Sequence, residues 1–402
     1  MPSSVDAGAD SVERVARALD RLRIELPSWG FANTGTRFGK YLQPAAAVTT
    51  AEKIADAGHV HALTGSCPTV ALHVLWDLPR GLDDVDDVAA VARRHGLQPG
   101  AINPNLFQDQ EYKHGSFGNP SAAIRDRALA HCRDSVAIAQ RLGSRDVSLW
   151  FADGSNYPGT ANMRARKRWF EECLAAVHAG LKSGDRLLVE YKPFEPAFYH
   201  TDIADWGMAL LLARAAGPQA RVLVDTGHHY QAQNIEQIVA WLLSEGMLGG
   251  FHFNDRRYAD DDLTLGSIDP YQAFRIFHEI RFFEWESGAP ADIAYVIDQS
   301  HNLKGKIESM IQTVTQAQAL VAKAALVDCE ALAAAQKACD LVRAETCLQD
   351  AFACDVRPAI REWRAARGLP LDPMEAFRHS GYLERITSER GGRPASDASA
   401  FA

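Results

Sequence analysis

Glu190, Asp225, His252 and Asp298 are the residues of this chain best placed for chemistry, because each sits in or closes a short apolar run: LLVEYK, VLVDTG, GFHFND and AYVIDQ. Three carboxylates and an imidazole gathered at one point cannot all stay ionised beside an apolar core, since like charges and desolvation both raise a carboxyl pKa. A divalent cation resolves that conflict, so the four are expected to be metal ligands. A second set lies beside them. His228 follows Asp225 by three residues, and Asp260 and Asp262 stand one residue apart beyond His252. With Asp225 shared, His228 and Asp260 complete a second, more open site, and Asp262 binds weakly or holds a water. The adjacent His229 is the alternative imidazole, expected to pack rather than ligate. Two divalent cations per subunit are therefore expected, with Mn2+ favoured and Co2+, Zn2+ or Mg2+ as substitutes, because carboxylate-rich donor sets suit them.

Lys192 stands two residues after Glu190, and the two-residue period of a strand turns both side chains to one face. An ammonium there stabilises negative charge developing on a substrate carbonyl oxygen. Lys192, Asp262 and Asp298 are the expected catalytic residues. His73 alternates with apolar Leu72 and Val74, a context in which a histidine is also a common hydrogen-bonded core residue.

For these residues to meet, the chain must bring distant segments to one end of a sheet. Eight short apolar runs recur, near 29–33, 72–76, 100–106, 147–152, 187–192, 222–226, 250–254 and 294–298, with helical patterns between them. Alternating strands and helices imply βαβ units, and eight right-handed units close an α/β (β/α)8 TIM barrel, whose active site lies at the carboxyl ends of the strands. Val12, Val15, Leu19 and Leu22 recur at helical spacing and predict a helix from 12 to 26 ahead of the first strand. The barrel is expected to occupy residues 1–310. Residues 311–402 read as a helical C-terminal extension, Ala-rich and suited to packing on the barrel or a partner subunit, ending in a disordered tail from Glu389.

Composition sets the outer bounds. The 402 residues are 47% hydrophobic and 23% charged, the profile of a packed chain rather than a disordered one. A net charge of -9 argues against a phosphate-tracking surface, so nucleic acid is not an expected partner. No long uncharged apolar stretch predicts a membrane span. The seven cysteines are scattered with no C-x-x-C pair, which reads as reduced thiols in a cytoplasmic protein.

Glu190 with Lys192, Asp225-x-x-His228, His252, Asp260-x-Asp262 and Asp298 resemble the bacterial L-rhamnose isomerase family, itself similar to xylose isomerase. The segment LWFADGSNYPG at 149–159, Trp29 with Phe38, and His73 look like that family's sugar-pocket segments, so the resemblance spans roughly residues 25 to 310. It implies an aldose–ketose isomerase, L-rhamnose to L-rhamnulose, working by metal-assisted hydride shift on the open-chain sugar. It also implies that His73 helps bind and open the ring, that Trp29 and Trp150 stack on the sugar, that Phe38 reaches in from a neighbouring subunit, and that the protein is a homotetramer. Two departures from xylose isomerase, His252 in place of a carboxylate and Asp225 in place of a glutamate, favour the rhamnose branch. The alternatives are a sugar 3-epimerase on the same barrel, which needs one metal and no Asp260-x-Asp262, and a metal-dependent phosphoesterase, which the negative charge disfavours.

Overall fold

In the computed structural model, which describes residues 9–36, 39–195 and 199–391, eight parallel strands close into a barrel. They are β1 (Ile24–Pro27), β2 (Thr69–His73), β3 (Gln98–Asn103), β4 (Asp146–Leu149), β5 (Arg186–Glu190), β6 (Ala220–Asp225), β7 (Leu248–Phe253) and β8 (Ala294–Ile297), and β1 pairs with both β2 and β8. Most of their residues are buried, as strands covered on both faces require. After α1 (Ala9–Arg21), each strand is followed by a helix: α2 (Thr50–Thr64), α3 (Val85–Arg94), α4 (Ala122–Leu142), α5 (Met163–His178), α6 (Trp206–Ala216), α7 (Ile235–Ser244), α8 (Pro270–Ser287) and α9 (Lys306–Ala325). The sequence marks their starts locally. Asn162, Asp205, Asn234 and Asp269 each accept a backbone N–H of the first helical turn, and Thr49 with Glu52 form a reciprocal cap on α2.

The first strand departs from the expected position. It occupies Ile24–Pro27 rather than 29–33, and α1 stops at Arg21 instead of running to 26. Pro27 lacks an amide hydrogen and ends the ladder, and Ser28–Phe31 follow as a single buried 3-10 turn. Trp29 and Phe31 mimic strand alternation only because the turn buries both. Glu25 lies within the barrel wall, where its carboxylate accepts from Ala101 N at 2.8 Å. Gly100 makes that possible, since a Cβ there would stand 1.7 Å from Glu25 Oε2.

The boundary expected at 310 falls inside α9, the helix that completes the eighth β/α unit. Beyond it come α10 (Cys329–Lys337), α11 (Leu341–Ala353), α12 (Arg357–Ala365), α13 (Pro373–Arg378) and α14 (Tyr382–Arg390). These turn back over the start of the chain. Trp363 Nε1 donates to Asp20 Oδ1 at 2.9 Å, and the buried guanidinium of Arg390 grips Asp56 of α2 at 2.8 Å. Glu389 and Arg390, placed by the sequence in a disordered tail, finish α14, and residues 392–402 lie outside the described part. Among the described residues no helix is long and apolar enough to cross a membrane, and the seven cysteines are free thiols.

Candidate metal centre and active site

The last four strands end at one mouth of the barrel, and their register brings four side chains together. Asp225 pairs with His252 across β6 and β7, and His252 with Val296 across β7 and β8. Ligand atoms of Glu190, Asp225, His252 and Asp298 all lie within 4.8 Å of one another, and so do those of Asp225, His228 and Asp260. His252 Nδ1 stands 3.3 Å from Glu190 Oε2, 3.4 Å from Asp298 Oδ2 and 3.9 Å from Asp225 Oδ2. His228 Nε2 stands 3.4 Å from Asp260 Oδ1 and 3.8 Å from Asp225 Oδ2. Oxygen and nitrogen ligands about 2.1 Å from one ion lie roughly 3 to 4.2 Å apart, so the separations above suit a coordination shell.

Two further observations fit divalent ions. His252 Nδ1 and Asp260 Oδ1 are buried without a hydrogen-bond partner although carboxylate or imidazole atoms surround them. The surrounding groups are also held in a ligating pose. His228 Nδ1 donates to the Tyr191 carbonyl at 3.0 Å, which leaves Nε2 free for the second set. Asn254 Nδ2 and Gly227 N donate to Asp225 Oδ1 at 3.0 and 2.6 Å, and Trp29 Nε1 donates to Asp298 Oδ1 at 2.8 Å. A Cβ at Gly227 would stand 2.7 Å from Asn254 Oδ1, so glycine there lets the Asn254 amide close on Asp225. His229 is turned away, sharing a 2.6 Å hydrogen bond with the Tyr191 hydroxyl.

The clustered carboxylates and imidazoles set one another's protonation. Burial opposes the charge on Glu190, yet His252 and His228 outweigh it and hold the carboxyl at about 2. Burial likewise opposes protonation of His252, but Glu190 and Asp298 lift it to about 9. Asp225 is pushed up to about 7 by burial, with Glu190, Asp260 and Asp298 adding to the rise against His228. Burial and the charges of Asp260, Asp298 and Asp225 drive Asp262 well above the usual carboxylate range. Its backbone is left-handed, at φ 47°, a conformation that aspartate tolerates better than most residues.

Lys192 Nζ donates to Asp260 Oδ2 at 2.8 Å and to Glu195 Oε2 at 2.9 Å, and stands 5.3 Å over the ring of Trp150. Burial works against its charge, but the two carboxylates raise its pKa, so it remains an ammonium. Lys192 N donates to Ile203 O at 3.0 Å, and Thr201 Oγ1 donates to Lys192 O, which ties the residue to the far side of a short hairpin (Phe194–Glu195 with Tyr199–His200).

A cavity of about 130 Å³ opens above these groups, lined also by Trp29, His73, Trp76, Phe107 and Trp150. Burial pushes the His73 imidazole down to about 3, so it is neutral at physiological pH. Its ring lies 3.8 Å from that of Trp76, centroid to centroid. Asp77 fixes this corner: it accepts from His73 N at 2.8 Å, from Ser28 Oγ at 2.5 Å and from the buried Lys53 ammonium at 2.8 Å. The site residues named from the sequence thus share this mouth, except Phe38, which lies outside the described residues. The sequence reading missed Trp76, Phe107, Glu195 and Asn254. Asn254 alone carried a signal, two residues past His252 on the same strand end.

Comparison with known proteins places this geometry. The family described as xylose isomerase-like TIM barrel matches residues 68–298. A protein of Mesorhizobium japonicum named "Probable sugar isomerase" is 36% identical over 391 residues, 96% of this chain and 90% of its own length. One of the same name from Rhizobium meliloti is 39% identical over 376 residues, 91% of this chain and 86% of its own. Among solved structures, a D-psicose 3-epimerase crystallised in the presence of D-fructose superposes with a TM-score of 0.53 at 11% identity, covering 78% of this chain and 98% of that one. At that identity the likeness is one of fold alone.

Proposed function

Since the chain belongs to the xylose isomerase-like TIM barrel family, we propose that it is a metal-dependent aldose–ketose isomerase acting on an open-chain sugar, with L-rhamnose to L-rhamnulose as its reaction. The observation that carries this reading is the pair of ligand sets sharing Asp225, with an ammonium fixed beside them. Glu190, Asp225, His252 and Asp298 would hold one divalent cation. Asp225, His228 and Asp260 would hold a second, with Asp262 at its open side. Mn2+ is favoured on donor type, ahead of Co2+, Zn2+ and Mg2+. When bound, the cations supply Lewis-acid polarisation of sugar oxygens and a template for their orientation.

The protein's own groups perform the rest. The Lys192 ammonium, held by Asp260 and Glu195, faces the cavity where a carbonyl oxygen gains negative charge as hydrogen moves between neighbouring carbons. The Asp262 carboxyl is placed to hold or pass the hydroxyl proton. Neutral His73 donates or accepts at the ring oxygen during opening. Trp29 keeps Asp298 in its ligating pose, and Trp150, Trp76 and Phe107 keep water from the reacting carbons. By the family resemblance Phe38 would enter from a neighbouring subunit of a homotetramer, and the scattered reduced thiols support action in the cytoplasm.

A 3-epimerase on this barrel would need one metal and two proton-exchanging carboxylates. The second ligand set and the clamped Lys192 favour the isomerase. Purified protein stripped with chelator should lose turnover and regain it with Mn2+ or Co2+, in a coupled assay against L-rhamnose, L-mannose, D-allose and L-lyxose. Full turnover in excess chelator refutes the metal role. Run in deuterated water, a hydride shift keeps the transferred position free of deuterium, whereas extensive solvent incorporation points to the epimerase.

A further inference from the structure

Around the cavity beside the ligand sets, three polar atoms are buried with no hydrogen-bond partner: Ser148 Oγ, Trp150 Nε1 and Ser300 Oγ. All three residues line the cavity. A buried donor or acceptor left unpaired costs free energy, and most such atoms in folded proteins are paired. Three in one cavity are therefore groups kept for something that enters it. Ser148 is the last residue but one of β4 and Trp150 stands two residues after it, just past the strand's end, so a two-residue period turns the serine hydroxyl and the indole to the same opening. Glu190 and Lys192 repeat that arrangement on the adjoining strand, β5, which pairs with β4.

The indole is also fixed in place. The Lys192 ammonium sits over its face at 5.3 Å, and Phe107 meets it edge to face at 4.9 Å between centroids. The Trp150 N–H, which only donates, stands unpaired in the cavity with a serine hydroxyl that donates and accepts. Together they match a hydroxyl group rather than a charged or apolar ligand.

We propose that Ser148 and Trp150 form a hydroxyl-reading subsite that binds a hydroxyl of the open-chain sugar beyond its reacting carbons and sets which hydroxyl pattern is accepted. This rests on the sugar-isomerase reading. It makes Trp150 a donor to the sugar, where the family resemblance implies a stacking surface.

The test uses metal-loaded full-length protein carrying Trp150→Phe, which keeps a ring and removes the N–H, or Ser148→Ala. Each is assayed on the best aldose and on its analogues lacking one distal hydroxyl. Each variant should lose roughly tenfold in kcat/KM on the complete sugar, mainly through KM, as expected for one neutral hydrogen bond. It should match wild type on the single analogue that lacks the hydroxyl it reads. Calorimetric binding of the corresponding polyol should show the same loss without turnover. Wild type that binds the polyol selectively but isomerises nothing keeps the subsite and overturns the isomerase reading. Variants within twofold of wild type on every sugar and polyol overturn the subsite, as does an equal loss on every deoxy analogue, which marks a merely structural role.

Discussion

The two halves of the barrel mouth are built on opposite principles. From β5 to β8 the mouth is charged: Glu190, Lys192, Asp225, His228, His252, Asp260 and Asp298 hold one another at 2.8 to 3.9 Å. From β2 to β4 it is aromatic, with His73, Trp76, Phe107 and Trp150 packed ring on ring and the one titratable member neutral. The difference has a chemical use. Fixed charges act most strongly where water is excluded, and the aromatic half supplies that exclusion without adding a field of its own.

Breaking the charged half should have the largest effect. Asp225→Asn weakens both ligand sets at once, and kcat should fall by about a thousandfold or more, since metal polarisation is worth several kcal/mol; metal titration of the variant should find neither ion bound tightly. Lys192→Met should keep both ions and lose about 10²- to 10³-fold in kcat, the cost of removing one preorganised donor to a developing oxyanion. A loss seen only in KM would contradict that role. Asn254→Leu removes the amide behind Asp225 and should weaken Mn2+ affinity about 10- to 100-fold, read by competition with a fluorescent chelator. On the aromatic half the expected pattern reverses. Phe107→Ala should raise KM about tenfold through lost apolar contact while metal affinity stays as in wild type.

Glu25, in the barrel wall, gives the smallest effect and one seen only in stability. Burial holds its carboxyl at about 7 against an ordinary 4.5, so the folded protein prefers the protonated form. That contribution is complete below about 4.5 and is lost as pH rises through 7, amounting to at most about 3 kcal/mol. Glu25→Gln removes the dependence, so thermal unfolding of the variant should change less than that of wild type between pH 5 and pH 8. Parallel curves would argue that the carboxylate is compensated in the fold.

The same contrast explains what could be read from the chain beforehand. Charged residues closing β-branched runs are rare enough to stand out, and Glu190, Asp225, His252 and Asp298 could be grouped from strand order alone. Phe107 and Trp76 could not, because an aromatic beside a strand end looks identical whether it packs in the core or lines a cavity. β1 was misplaced because Pro27 cut it to four residues, too short to show a period. Glu195 reaches Lys192 only through the hairpin that folds back over it, a contact that spacing along one strand does not encode.

The seam of the barrel sets the order in which the protein can be made. β1 rests between β2 and β8, yet β8 ends at residue 297. At the ribosome's pace of roughly 5–20 residues per second, the nascent β1 waits on the order of tens of seconds for its second neighbour. The fastenings of Trp363 to Asp20 and Arg390 to Asp56 arrive later still, so α1 and α2 are locked down only after all eight strands have been made.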